Sequence, residues 1–379
     1  MLIIGILVGL FVLVVLVTIH ELGHAIVAHR NGVVVEEFGI GFPPRAWAKK
    51  LKKSGVLFTL NWLPLGGFVK LQGEHDDDSK KGDYGAATFW QKTKILLAGV
   101  AINWLAAVVL LTALAWTSGI PKIIDNQFSV ASDTTIVSTP VQLTGVIDNY
   151  PAKKAGLEVG DKIITFAGEK ITTSQQLIDV SKAHKGETVA VTYERDGKDA
   201  TVKVTLRDAA SAVFGANLGQ QDSIKATWSA PVVGVVTTAQ YTGVTFQGLG
   251  DLVVNFFGGL FGQLSTNEAT RQQATEQLNT AGASVAGPVG ILGTIFPAAS
   301  KAGPQEVVFL AAILSLTLAV MNVLPIPALD GGRWFVTALF RLMKKPLTKE
   351  KEERINAAGF MFLMALVVVI TIADVAKLF

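Results

Sequence analysis

His20, Glu21 and His24 stand as H-E-x-x-H at the far end of an apolar run that begins at Leu2. Histidine and glutamate are expensive in hydrocarbon, so their presence in a membrane-length stretch marks a candidate functional site. On an α-helix the i, i+4 spacing sets both imidazoles on one face, one turn apart, where they can share a Zn²⁺. Glu21 lies beside that pair rather than on it, free to take a proton from a water held there. The chemistry of such a set is metal-assisted hydrolysis. The plain alternative, a chance match, would fall most often on a solvated helix and not inside an apolar one.

Two histidines leave a zinc site incomplete. Catalytic zinc usually takes three protein ligands, and a chain with no cysteine must supply them as nitrogen or oxygen. The best third candidate is Asp330, in Asn322-Val323-Leu324-Pro325-Ile326-Pro327-Ala328-Leu329-Asp330-Gly331-Gly332. The prolines break a helix and the glycines permit a tight turn, so the carboxylate can face a helix bundle. Alone, such a segment is more often a capped helix end; beside an unfinished metal motif at matching depth it reads as a ligand.

The elements that carry these residues must be membrane spans. The chain has 379 residues, 50% of them hydrophobic and 17% charged, against about 25% charged in soluble proteins. Its mean hydropathy is +0.44, which implies a membrane protein with a soluble portion. A formal charge of +3 is too small to suggest nucleic acid as a partner. Four segments can cross a bilayer: 2–27, 95–116, 307–324 and 357–373. The first lacks a basic start, because no Lys or Arg precedes Arg30, and is expected to be a transmembrane helix rather than a secretory signal. Arg30, Arg45, Lys49, Lys50, Lys52 and Lys53 follow it, and Arg333, Arg341, Lys344, Lys345, Lys349, Lys351 and Arg354 separate the third from the fourth. Both basic loops are therefore expected in the cytoplasm, with both termini outside. By this topology the third span runs parallel to the first and delivers Asp330 to the side of His20 and His24.

Between the second and third spans, roughly 142–207 reads as a compact soluble domain. Strand-like runs at 188–193 and 200–206 flank the turn Asp196-Gly197. The stretch from Tyr150 to Ile164, with Ala155-Gly156-Leu157 and Gly160-Asp161, closely resembles the signature of a PDZ domain of the bacterial protease type. Such a domain binds an extended peptide or chain terminus as an added strand. The stretch 228–264 is interrupted by Thr237, Thr238, Gln240, Tyr241, Thr242, Thr245, Gln247 and Asp251, and is read not as a fifth crossing but as one or two amphipathic helices on the outer membrane face or against the other spans. Residues 56–72 are β-rich on both sides of Pro64 and Gly66-Gly67, and are read as a β-hairpin-like loop dipping into the membrane from the cytoplasmic side. Its exposed edge would pair with an unwound substrate strand.

Taken together, His20-Glu21-Leu22-Gly23-His24, Phe38-Gly39-Ile40-Gly41-Phe42, Gly66-Gly67-Phe68-Val69-Lys70, the PDZ signature, Gly287-Pro288-Val289-Gly290-Ile291 and Asn322 through Gly332 resemble the site-2 protease family of intramembrane zinc metalloproteases, most closely bacterial members of the regulator-of-sigma-E type. The resemblance covers nearly the whole chain. It implies that His20, His24 and Asp330 bind Zn²⁺, that Glu21 is the general base, and that Asn322 and the loop with Gly66 and Gly67 contact substrate. Val100 departs from the family's usual proline, and one PDZ domain is evident where some relatives carry two. The expected architecture is a multi-pass α-helical membrane protein: four transmembrane helices, the membrane-inserted β-loop and an extracytoplasmic α+β PDZ domain. Its expected divisions are 1–118, 141–210 for the PDZ domain, 211–306 for the amphipathic linker and 307–379. The expected place is the bacterial inner membrane, and the expected substrates are transmembrane proteins or peptides such as anti-sigma factors or remnant signal peptides. A non-catalytic PDZ scaffold and a metal transporter are the rival readings; neither gives Glu21 a role.

Overall fold

The computed structural model describes residues 2–52, 54–195 and 197–376, and of Leu65 the backbone only. Lys53 of the first basic loop and Asp196 of the expected turn lie outside the described residues. The chain divides into two compact units, Met1–Leu114 with Pro231–Phe379, and Ala115–Ala230.

The first unit opens with α1 (Leu2–Arg30), 29 residues that are almost wholly apolar until His20. A helix is what such a run must form in lipid, because it satisfies every backbone polar group internally. Then come β1 (Val35–Lys50) and β2 (Leu57–Leu71), followed by α2 (Phe89–Thr117). The two strands pair twice: Val35–Ile40 sits between Gly67–Leu71 on one side and Leu57–Leu60 on the other, while Arg45–Lys50 pairs outside Leu57–Asn61. The arms of 56–72 are therefore not a hairpin paired with itself. β1 lies between them, and Gly66 makes the bend at φ +92, where a side chain would be strained.

The second unit holds β3 (Ile120–Pro121), β4 (Thr135–Ser138), β5 (Val141–Val146), α3 (Pro151–Lys154), β6 (Lys162–Phe166), β7 (Glu169–Lys170), α4 (Ser174–Ala183), β8 (Thr188–Arg195), β9 (Lys198–Thr205), β10 (Ala216–Gly219) and β11 (Asp222–Lys225). Its main sheet runs β10-β5-β6-β8-β9 with β7 on β6, and β3-β11-β4 form a second sheet. Val141, Leu143, Leu157, Ile163, Phe166, Leu177, Val191 and Val204 fill the core, which Val213 and Phe214 also enter. The folded unit is thus wider than 141–210: its outer strands come from segments too short to read as strands alone. Within the PDZ-like signature, Asp161 is held by Arg195 (Nε to Oδ1, 2.6 Å) and accepts the Glu158 N–H at 2.9 Å.

The chain re-enters the first unit through α5 (Ala230–Gly262), followed by α6 (Glu268–Ala283), α7 (Pro288–Gly290), a π-helical turn over Ile291–Ile295, α8 (Phe296–Ala302), α9 (Pro304–Val323), α10 (Asp330–Leu342) and α11 (Lys349–Ala376). Among the described residues α1, α2, α5, α9 and α11 are long and apolar enough to cross a membrane, and α6 with the bent segment 288–302 passes the same test as a pair. α5 is one unbroken helix of 33 residues. Its first half runs antiparallel along α2: a Cβ on Gly234 would meet the Thr112 backbone, and Trp104 Nε1 donates to Thr242 Oγ1 at 3.1 Å. The sequence reading did not count this stretch as a crossing; it is instead one helix long and apolar enough to be one, packed against another span. The threonines do not interrupt the helix because Thr238, Thr242 and Thr245 donate to carbonyls one turn back, of Gly234, Thr238 and Tyr241, so their hydroxyls are cheap in lipid.

Candidate metal centre

α1 presents His20 and His24 on its buried face, each 7% exposed. Asp330 reaches them from the first turn of α10, after the chain has left α9 and turned through Leu324–Leu329. Gly331 and Gly332 are helical; they are needed because a Cβ on Gly331 would lie 2.2 Å from the Val323 carbonyl oxygen and one on Gly332 1.9 Å from that of Ile326. A Cβ on Gly359 of α11 would meet the Pro327 carbonyl, so protein surrounds the unwound backbone, as it must at membrane depth.

The three side chains converge. His20 Nε2 lies 3.0 Å from Asp330 Oδ2, His24 Nε2 lies 3.2 Å from the same oxygen, and the two Nε2 atoms are 3.2 Å apart. Three donors bound tetrahedrally to zinc at about 2.0–2.1 Å stand about 3.3–3.4 Å from one another, so this triangle needs only a few tenths of an ångström of opening. Its chemistry fits as well. His24 Nδ1 donates to the Ile95 carbonyl at 2.7 Å, which leaves a lone pair on Nε2 directed at a carboxylate oxygen, an arrangement that calls for a cation between them. Backbone bounds the space: a Cβ on Gly99 of α2 would lie 2.5 Å from His24 Nε2 and 2.6 Å from His20 Nε2. This is the one group of three or more potential metal ligands among the described residues.

Glu21, the residue after His20, accepts the Val69 N–H through its Oε2 at 3.1 Å. That N–H is on the edge of Gly67–Leu71 facing away from β1, and a Cβ on Gly67 would lie 3.7 Å from Glu21 Cγ. Gly66 lies at the bend just before, with Val17 and Phe42 alongside it. Asn322 is half-buried in the last turn of α9. Sequence reasoning gave no site role to Ile95, Gly99 and Asn103, all on α2, or to Val69. A small-residue signal was there in Ala98-Gly99, since small residues let membrane helices approach closely.

A constellation that could hold a zinc ion, built on membrane-length helices, points to a class, the membrane-embedded metalloprotease. The model of Peptidase family M50 matches residues 8–366; the chain belongs to that family and is an intramembrane zinc metalloprotease of the site-2 type. It is 33% identical to a putative zinc metalloprotease of Clostridium perfringens over 95% of each chain. It is 28% identical to the zinc metalloprotease RasP of Geobacillus kaustophilus and 26% identical to the regulator of sigma-W protease RasP of Bacillus subtilis, in each case over 96% of both chains. A PDZ domain of an SdrC-like protein from Listeria monocytogenes matches 24% of this chain and 93% of its own at 26% identity, with a TM-score of 0.19.

Proposed function

We propose that His20, His24 and Asp330 hold the zinc and that Glu21 is the general base of peptide-bond hydrolysis within the membrane. The observation that carries this reading is the triangle of 3.0, 3.2 and 3.2 Å between the two Nε2 atoms and Asp330 Oδ2. Zinc bound there supplies a Lewis acid for the scissile carbonyl and a water of lowered pKa. Glu21 takes the proton of the attacking water and returns it to the leaving amine. A transmembrane helix hides its carbonyls in its own hydrogen bonds, so the substrate must unwind before attack. The edge of Gly67–Leu71 that faces away from β1, beside Glu21, would offer the unwound segment a strand to pair with once Val69 N–H leaves Glu21, and Asn322 would hold its backbone. Exposed Phe42, Trp47, Trp62 and Leu63 on the same sheet support its insertion into the bilayer from the cytoplasmic side.

The basic loops put both chain termini and the unit Ala115–Ala230 outside the cytoplasm of a bacterial cell, with four spans as the minimal topology. The unit serves as a PDZ-type filter that admits substrates whose outer part has already been trimmed. Substrates of this kind are membrane-anchored anti-sigma factors, in keeping with the name of the Bacillus subtilis relative, and remnant signal peptides. The test is Glu21→Gln in liposomes with a transmembrane substrate: zinc content stays at the wild-type level while cleavage falls by at least about 10³-fold, at the upper reach of what one general base contributes. Cleavage at the wild-type rate would end the assignment.

A further inference from the structure

His20 has a second nitrogen, and what it meets is the side chain of Asn103. Asn103 is fully buried on α2, its amide nitrogen lies 3.2 Å from His20 Nδ1, and its Oδ1 meets no donor among the described residues. The same residue's backbone carbonyl accepts from Ser315 Oγ of α9 at 2.8 Å, so α1, α2 and α9 join at this point. With Nδ2 toward the ring, Nδ1 has to be an acceptor, and the neutral imidazole then carries its proton on Nε2. That proton would occupy the lone pair aimed at His24 and Asp330. A half-turn of the amide exchanges two atoms of equal size, gives the orphaned oxygen a donor and moves the imidazole proton to Nδ1.

We infer that Asn103 is a positioning residue for the zinc: its side-chain carbonyl accepts the His20 Nδ1–H and so fixes the tautomer that presents Nε2 to the metal. The inference rests on the proposed ligand set. His24 obtains the same service from the Ile95 carbonyl at 2.7 Å, a backbone group that no substitution removes, whereas His20 depends on a side chain. Outer partners of this kind usually account for 10- to 100-fold in metal affinity.

The experiment measures zinc affinity by chelator competition on purified full-length protein for the wild type, Asn103→Leu, Asn103→Asp and Ser315→Ala. Leucine keeps the heavy-atom branching and removes the acceptor, so affinity falls by about 10- to 100-fold. Asn103→Asp retains an acceptor and stays within about three-fold of wild type, well short of that loss. Ser315→Ala removes the helix junction without touching the ring, and its affinity is unchanged. Wild-type affinity in Asn103→Leu overturns the inference, as does an equal loss in Ser315→Ala and Asn103→Leu, which would mean helix packing alone. If the leucine variant does not fold, zinc-loaded wild type labelled with 15N-histidine and 13C-asparagine decides. A slowly exchanging His20 Nδ1–H next to Asn103 Cγ agrees, and a His20 Nδ1 without a proton overturns it. Loss of zinc in His20→Ala, His24→Ala and Asp330→Ala is the separate check on the ligand set.

Discussion

Gly99 contributes no side chain, yet it decides how much room the two imidazoles have. A Cβ there would stand 2.5 Å from His20 Cε1 and from His24 Nε2, well inside van der Waals contact, so both rings would have to swing out of the triangle. Gly99→Ala is therefore expected to keep the fold, lose most of its zinc and lose proteolysis by about 100-fold, the effect of misplacing reactive groups by roughly 1 Å. Metal analysis beside a cleavage assay checks this, and an alanine variant with full zinc would contradict it. The contrast with the triad shows what a sequence can carry at this scale. His20, Glu21 and His24 share a helical period, and Asp330 follows two prolines and precedes two glycines, so type and spacing were enough to mark them. Ile95, Gly99 and Asn103 meet the histidines across a helix contact, and no spacing rule relates residue 20 to residue 99.

The element that carries Asp330 is held by a particular device. α10 is fixed one turn beyond Asp330, where Arg333 Nε pairs with Glu352 Oε1 at 3.2 Å, and Glu352 Oε2 accepts the Asp76 N–H at 2.9 Å. Lys92 pairs with Asp76, Arg333 also donates to the Glu74 carbonyl, and its guanidinium lies 4.7 Å from the Tyr84 ring centre. This clasp ties the segment between β2 and α2 to α10 and α11. Glu352→Ala leaves Arg333 without its carboxylate; the Arg333 side chain is 26% exposed, so the loss is expected at about 2–3 kcal/mol, below that of a fully buried pair. A melting temperature equal to wild type in the same detergent would contradict it. At the start of α5, Asp133 accepts the Thr227 N–H at 2.9 Å and the Ser229 N–H at 3.0 Å, along with both hydroxyls. Desolvation opposes ionisation there, but these bonds outweigh it and hold the carboxyl below the usual carboxylate range. A depressed carboxyl stabilises the fold above its unfolded pKa near 4 and stops doing so as pH falls through the folded value. Asp133→Asn should thus be less stable than wild type at pH 7, with the gap closing in acid; a gap independent of pH would refute this. The sequence revealed the spans less completely than the three side chains that converge at the triangle. Polar threonines made α5 look interrupted, because back-bonding to the helix's own carbonyls is invisible in a hydropathy pattern. The double pairing of β1 and β2 was hidden because the interleaved strand lies outside 56–72.

For the molecule as a whole, the triad constrains topology without reference to how many helices cross. Asp330 meets His20 only if α9 runs parallel to α1, so the chain between α2 and α9 must cross an even number of times: not at all, or once through α5 and once back through 268–302. Since the chain has no cysteine, single cysteines are unique labels. Asp125→Cys and Lys301→Cys are expected to react with an impermeant maleimide from one face of sealed vesicles and Lys344→Cys from the other. Labelling of the first two from opposite faces would contradict the shared site. The filter is tested at the same scale by excising 119–225, because removing only 142–207 would cut β10 away from its sheet partner β5. Untrimmed substrate should then be cleaved, and unchanged selectivity would discard the filter. Class and chemistry were legible from composition and two motifs. The extent of the soluble unit was not, because strands as short as β3 and β11 acquire their identity only from each other. The most direct measurement of the central claim is zinc per chain in purified wild type, Glu21→Gln and Asp330→Ala. About one zinc in the first two and essentially none in the third is the expected result for three protein ligands, whereas an Asp330 variant that keeps its zinc would contradict the account.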